Sequence, residues 1–138
     1  MAGPPEAPAL SGTPPVSKRH AHRARYINGW NTMDAAKLMA SITDDFVFDD
    51  PADPGPITKA TLVDYMPVWP KKAAALGAQF TFEIIDKTVQ DHEGVLLEWY
   101  WWRLIGTTVE GSAVIKTSDD GVIFERLTYY RTPWPLRR

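Results

Sequence analysis

The chain of 138 residues carries a formal net charge of -2, contains no cysteine, and is 44% hydrophobic and 12% aromatic. That length bounds it to one domain with one sizeable core. The small net charge gives no electrostatic reason to expect nucleic acid, and the absence of cysteine excludes disulfides, thiolate metal sites and a cysteine nucleophile.

Residues 1–17 hold Pro4, Pro5, Pro8, Pro14 and Pro15 with Gly3 and Gly12, a composition that reads as a flexible or polyproline-like arm. Residues 18–138 then form the single domain. No apolar run approaches the roughly 20 residues of a membrane span, and the N-terminus lacks the apolar core of a signal peptide. A cytoplasmic protein with no membrane partner is the expectation. The basic cluster Lys18, Arg19, Arg23 and Arg25, with His20 and His22 among it, reads as a solvated first helical turn. Two histidines two apart lie on different helix faces, which disfavours a metal pair.

A first helix is predicted from Val16 or Ser17 to Trp30, with Tyr26 and Trp30 four apart on one face. Asn31 or Thr32 would cap a second, with Asp34 in its first turn where a negative charge suits the dipole. Its positions Ala35, Leu38, Met39 and Ile42 follow the i, i+3, i+4, i+7 pattern of a core-facing stripe.

The stretch Asp44-Asp45-Phe46-Val47-Phe48-Asp49-Asp50-Pro51 is a short strand whose alternation puts Phe46, Phe48 and Asp50 on one face and Val47 and Asp49 on the other. A carboxylate thus ends an aromatic row. Asp-Pro often opens a surface turn; alternatively, if the row faces an enclosed pocket, burial raises the basicity of Asp50 and suits it to proton transfer.

Residues 51–56 contain three prolines and a glycine and must be a loop, a natural lid over a pocket. Thr58 caps a third helix with the stripe Leu62, Tyr65, Met66 and Trp69, which Pro67 and Pro70 should kink or split and Gly77 should stop. The remainder reads as strand: residues 79–90, 95–104, 109–117 and 121–131, the last two joined through Ser118-Asp119-Asp120-Gly121, a hairpin turn. Helices gathered at one end and antiparallel strands at the other mean α+β, with helices covering one face of a curved sheet.

The segments Trp30-Asn31-Thr32-Met33-Asp34 and Asp44 through Pro51, with Glu110-Gly111-Ser112-Ala113 and residues 121–130 at the close, resemble the nuclear-transport-factor-two-like superfamily. Its SnoaL-like polyketide cyclases and ketosteroid isomerases are the nearest branches. The resemblance implies a cone-shaped roll: a strongly curved, mostly antiparallel sheet packed on three N-terminal helices. It also implies a sheet-to-sheet homodimer. In the ketosteroid isomerases Asp50 matches the general base and Tyr26 the oxyanion-hole tyrosine, while the position of the second oxyanion donor falls on Ala113, which has no proton to give.

If Phe48 and Asp50 face inward, the same end of the cone should receive Glu98, Tyr100 and Trp102 from the strand 95–104, and Arg126, Thr128 and Tyr130 from the last strand. An inward Glu98 and Arg126 should pair with each other, with Asp50 or with a ligand. Arg126 could then hold Asp50 ionised or bind a carbonyl or anion. Trp99 and Trp101 would point to the other face, and burying them calls for a dimer partner or for cover by the C-terminal segment with Trp134.

Two functions fit these residues. One is a cofactor-independent isomerase, cyclase or dehydratase acting by proton transfer on an apolar carbonyl compound, with Asp50, Tyr26 and Arg126 as catalytic residues. Trp30, Phe46, Phe48, Phe82, Glu98, Tyr100, Trp102, Thr128 and Tyr130 would then bind substrate. The other is a binding module that holds an apolar ligand in the same cavity without converting it. A third reading, a scaffold using the outer sheet face, predicts a cavity plugged by side chains.

Overall fold

Ser17 accepts a hydrogen bond from the His20 amide at 3.2 Å and so caps α1, Lys18–Asn31, satisfying one of the donors a helix start leaves free. The computed structural model describes residues 17–137; the proline-rich arm, Ser17 apart, lies outside the described residues. After α1 the chain turns through Met33, whose φ is +53°. This left-handed turn moves the next cap to Asp34, whose Oδ1 accepts from the Lys37 amide at 3.0 Å. The predicted caps Asn31 and Thr32 therefore belong to the end of α1, and α2 is a short helix, Ala35–Ala40.

Strand β1 is Ile42–Asp49 and is followed by the two-residue β2, Ile57–Thr58. The predicted third helix is split in two. Helix α3, Lys59–Tyr65, ends before Pro67, and α4, Val68–Ala75, follows it. Pro70 sits in the first turn of α4, where a missing N–H costs no helical hydrogen bond. Gly77, at φ +77°, turns the chain out of α4.

Strands β3 (Phe82–His92), β4 (Val95–Leu104), β5 (Glu110–Ser118) and β6 (Gly121–Arg131) run as a meander. The six-stranded sheet has the order β2-β1-β6-β5-β4-β3. Only β1 and β6 are parallel; the other neighbours are antiparallel. This is an α+β domain with a mostly antiparallel sheet, and its helices cover one face.

The core lies between that face and the helices. Its members include Tyr26, Trp30, Leu38, Phe46, Phe48, Leu62, Tyr65, Met66, Trp69, Trp102 and Ile115. Burial of each large apolar side chain is worth about 1.5–3 kcal/mol. Gly111 is required by packing: a Cβ there would lie 2.1 Å from the Thr128 carbonyl oxygen and 3.1 Å from the Trp102 ring. The absence of a side chain lets Trp102 lie against β5.

Candidate functional site

Alternation along β1 buries Phe46 and Phe48 and leaves Val47 and Asp49 half-buried on the other face. The parallel pairing of β1 with β6 then sets Phe48 opposite Glu125 and Asp49 opposite Arg126. Opposed residues on neighbouring strands share a face. Glu125 therefore enters the core with Phe48, while Arg126 leaves it with Asp49.

This corrects the expected parity of the last strand. Arg126 is exposed and its Nε is 3.2 Å from Asp49 Oδ2 on the outer face. Thr128 is exposed and Tyr130 is 52% exposed, so neither reaches the interior. Past Val122 at its start, the inward residues of β6 are Glu125, Leu127 and Tyr129. A signal for this parity was present in the sequence, since Leu127 stands between the polar Arg126 and Thr128, which a half-buried strand turns outward.

The parity of β4 agrees with the expected one: Glu98, Tyr100 and Trp102 are all buried. Glu98, however, does not meet Arg126. Arg23 of α1 crosses to it instead, with Nε 2.7 Å from Glu98 Oε2 and with Nε and Nη2 donating to the Tyr100 hydroxyl at 2.9 and 2.8 Å. Tyr100 in turn donates to Glu98 Oε2 at 2.8 Å. Arg23 is thus the partner of a buried acid, whereas Lys18 and Arg25 are exposed.

An apolar cavity of about 70 Å³ lies between the sheet and the helices. Trp30, Phe48, Trp69, Tyr100, Trp102 and Leu127 form its walls, and Phe80, Phe82 and Ile84 stand at its outer side. Phe46 packs beneath, 5.8 Å from the Tyr26 ring. One carboxyl group borders the cavity among the described residues, that of Glu125.

Tyr26 donates its hydroxyl proton to Glu125 Oε1 at 2.5 Å. No described side chain donates to Oε2. Burial pushes Glu125 up to about 7, against the hydrogen bond from Tyr26, which favours the charged form. Tyr26, itself fully buried beside that acid, is raised well above the ordinary tyrosine range. It therefore stays protonated and its one proton is spent on Glu125. Two cavity-wall residues carry buried indole N–H groups: that of Trp102 has no hydrogen-bond partner among the described residues, whereas that of Trp30 is directed at the Tyr26 hydroxyl.

Asp50 follows β1 directly and is fully buried, but it does not border this cavity. Its Oδ1 accepts from the Ala52 amide at 2.9 Å and its Oδ2 from the Tyr129 hydroxyl at 3.0 Å. Burial raises its pKa, with nearby Asp53 adding to the shift and the Ala52 amide and Lys72 opposing it. Asp50 and Tyr26 thus have different hydrogen-bond partners. The acid that meets Tyr26 comes from β6.

The outer sheet face carries Trp99 and Trp101, both half-buried. Trp101 donates its indole N–H to Glu110 Oε2 at 2.7 Å. Trp134 does not cover them; it packs on Trp69 and Tyr129 on the helix side, at 5.9 Å from each ring. Among the described residues no helix is long and apolar enough to cross a membrane.

Solved structures share this fold at low identity. A protein of unknown function with a cystatin-like fold from Methylobium petroleophilum superposes with a TM-score of 0.63 at 16% identity, over 86% of this chain and 81% of that one. A candidate ketosteroid isomerase from Parabacteroides distasonis gives 0.59 at 12%, over 91% and 95%. A candidate SnoaL-like polyketide cyclase from Shewanella putrefaciens gives 0.58 at 12%, over 88% and 83%. No curated protein sequence matches the chain. The sequence profile of the SnoaL-like domain matches residues 24–126, a span that runs from α1 into β6 and includes Tyr26, Trp30, Trp102 and Glu125, and on that match the chain belongs to the SnoaL-like domain family.

Proposed function

We propose that the protein is a cofactor-independent isomerase, cyclase or dehydratase in which Glu125 moves a proton on an apolar carbonyl compound. The observation that carries this reading is the single carboxyl group on an otherwise apolar and aromatic cavity, held by a buried tyrosine. Burial keeps the pKa of Glu125 near 7, so the ionised form is both populated at neutral pH and basic enough to accept a proton from carbon next to a carbonyl. Tyr26 orients Oε1 and leaves Oε2 to the substrate.

The electron pair released by that transfer moves onto the carbonyl oxygen. The indole N–H of Trp102 is the donor this reading assigns to it, in place of the second acid that Ala113 lacks. Returning the proton from Glu125 to another carbon, or to a departing hydroxyl, completes an isomerisation or a dehydration. Apolar walls keep water from competing for the base. Asp50 stands outside this sequence of steps and anchors the loop after β1.

Replacing Glu125 by Gln tests the reading against a panel of α,β- and β,γ-unsaturated cyclic ketones. Abolished turnover with retained ligand affinity supports it. Equal turnover in both proteins sinks it, and binding without turnover in either favours a binding module, which the same apolar walls would serve. We further propose a homodimer through the outer sheet face, where Leu97, Trp99, Trp101 and Val114 lie half-buried within a charged rim that includes Arg103, Glu110 and Arg126. A monomeric mass at high concentration would contradict it.

A further inference from the structure

The segment after β6, residues 132–137, crosses the loop that follows β1 and is fastened at one residue. The Arg137 amide donates to the Pro51 carbonyl at 2.7 Å. Its guanidinium donates to the Asp53 carbonyl at 2.7 Å, the Asp50 carbonyl at 3.0 Å and Asp49 Oδ1 at 2.6 Å. Between this latch and the end of β6 stands Trp134, flanked by Pro133 and Pro135, which cannot donate to a sheet and make the segment stiff.

The Trp134 ring meets Trp69 and Tyr129 edge to face, with interplanar angles of 84° and 83°, and the Lys72 ammonium lies 4.6 Å from its centroid. Beneath it are polar atoms that the fold leaves incomplete. Lys72 Nζ is buried and lies 3.7 Å from Asp53 Oδ1, too far for a hydrogen bond, and the Tyr65 hydroxyl faces the Asp53 carboxylate without reaching good hydrogen-bond geometry. Burying unpartnered polar groups costs free energy that an apolar filling would avoid. An open groove along the same segment is lined by Thr108, Thr132, Pro133 and Leu136 and by Tyr129, the tyrosine that donates to Asp50.

We propose that Trp134 is a plug in a second binding compartment, walled by Trp69, Tyr129 and Lys72 and floored by Asp50 and Asp53. Residues 132–137 swing out to admit a planar aromatic ligand with a polar edge. The ligand's π face takes the place of the indole over Lys72 and between the two ring edges. Its hydroxyl or carbonyl edge improves on the long contacts that Lys72, Asp53 and Tyr65 make with one another. Arg137 holds the closed state, so its removal raises the fraction of open protein and with it the apparent affinity. This inference is independent of the chemistry assigned to Glu125.

The test uses 2-naphthol, a planar ring system with one hydroxyl, and the full chain. Arg137→Ala should bind it about tenfold more tightly than the unmodified protein, because closure competes with the ligand. Adding Lys72→Met to that variant should remove the gain. In the unmodified protein, hydrogen exchange at the Arg137 amide should be faster than in β5 and β6 and should quicken when 2-naphthol is added. Equal affinity of the unmodified and Arg137→Ala proteins, a gain that survives Lys72→Met, or Arg137 exchange indifferent to the probe would each overturn the proposal. The exchange measurement needs no variant and stands even if a substitution fails to fold.

Discussion

Two buried carboxyl groups, Asp50 just past β1 and Glu125 on the neighbouring β6, differ in what surrounds them. Glu125 has one oxygen on Tyr26 and borders an apolar cavity. Asp50 has both oxygens occupied, by Ala52 and Tyr129, and has no share in the cavity. Burial raises both pKa values, so a raised pKa by itself does not single out the reactive group. Access does: a carboxylate whose oxygens both accept protein hydrogen bonds has little left to offer a substrate.

The comparison can be broken by substitution, and the largest expected effect is on turnover. Glu125→Gln should lower kcat by about 10²–10⁴, the usual contribution of a positioned acid or base, as measured by steady-state assay on whichever ketone the unmodified protein converts. Asp50→Ala should instead show itself in stability. It strands the Tyr129 hydroxyl and the Ala52 amide, and should cost about 1–3 kcal/mol in urea unfolding. If Asp50→Ala abolished kcat at unchanged stability, the roles assigned to the two acids would be exchanged.

The pH dependence sharpens the same contrast. With Glu125 near 7, kcat/KM should climb with pH and level off above about 7, and Glu125→Gln should lose that limb. Stability moves the other way. The folded protein keeps the Glu125 proton where the unfolded chain has released it, so the contribution is fully present below the ordinary glutamate pKa and is lost as pH rises through about 7. Thermal unfolding between pH 4 and 8, compared for the unmodified protein and Glu125→Gln, isolates this component.

The smallest effect is expected from Tyr26→Phe. Removing the hydroxyl takes away a donor that favours ionised Glu125, so the pKa seen in the rate profile should rise above 7 while the plateau falls modestly. An unshifted profile would mean that Tyr26 does not hold the carboxylate that sets the rate.

Much of the fold was legible in the chain itself. Local pattern places α1, the core stripe of α3 and α4, the break at Pro67 and the meander from β3 to β6, because helix and strand periodicity and proline sterics are properties of a few adjacent residues. Alternation within β1 likewise pairs Asp50 with Phe48. The cap of α2 was misplaced because Met33 takes a left-handed conformation that its side chain does not advertise.

Tertiary structure alone decided which acid meets the cavity. Strand alternation has two phases; Leu127 between Arg126 and Thr128 points to the one β6 adopts, but which inward residue of β6 meets Phe48 is set by a parallel pairing with β1, about 80 residues away, that opposes Phe48 to Glu125. One step of register exchanges Glu125 for Arg126 at the interior. The same holds for Arg23, which a local reading assigns to a basic helix face and which the fold carries across to Glu98, and for Trp134, which the fold sets against Trp69 and Lys72. Periodicity is written locally; the pairing of faces is settled only when distant segments pack.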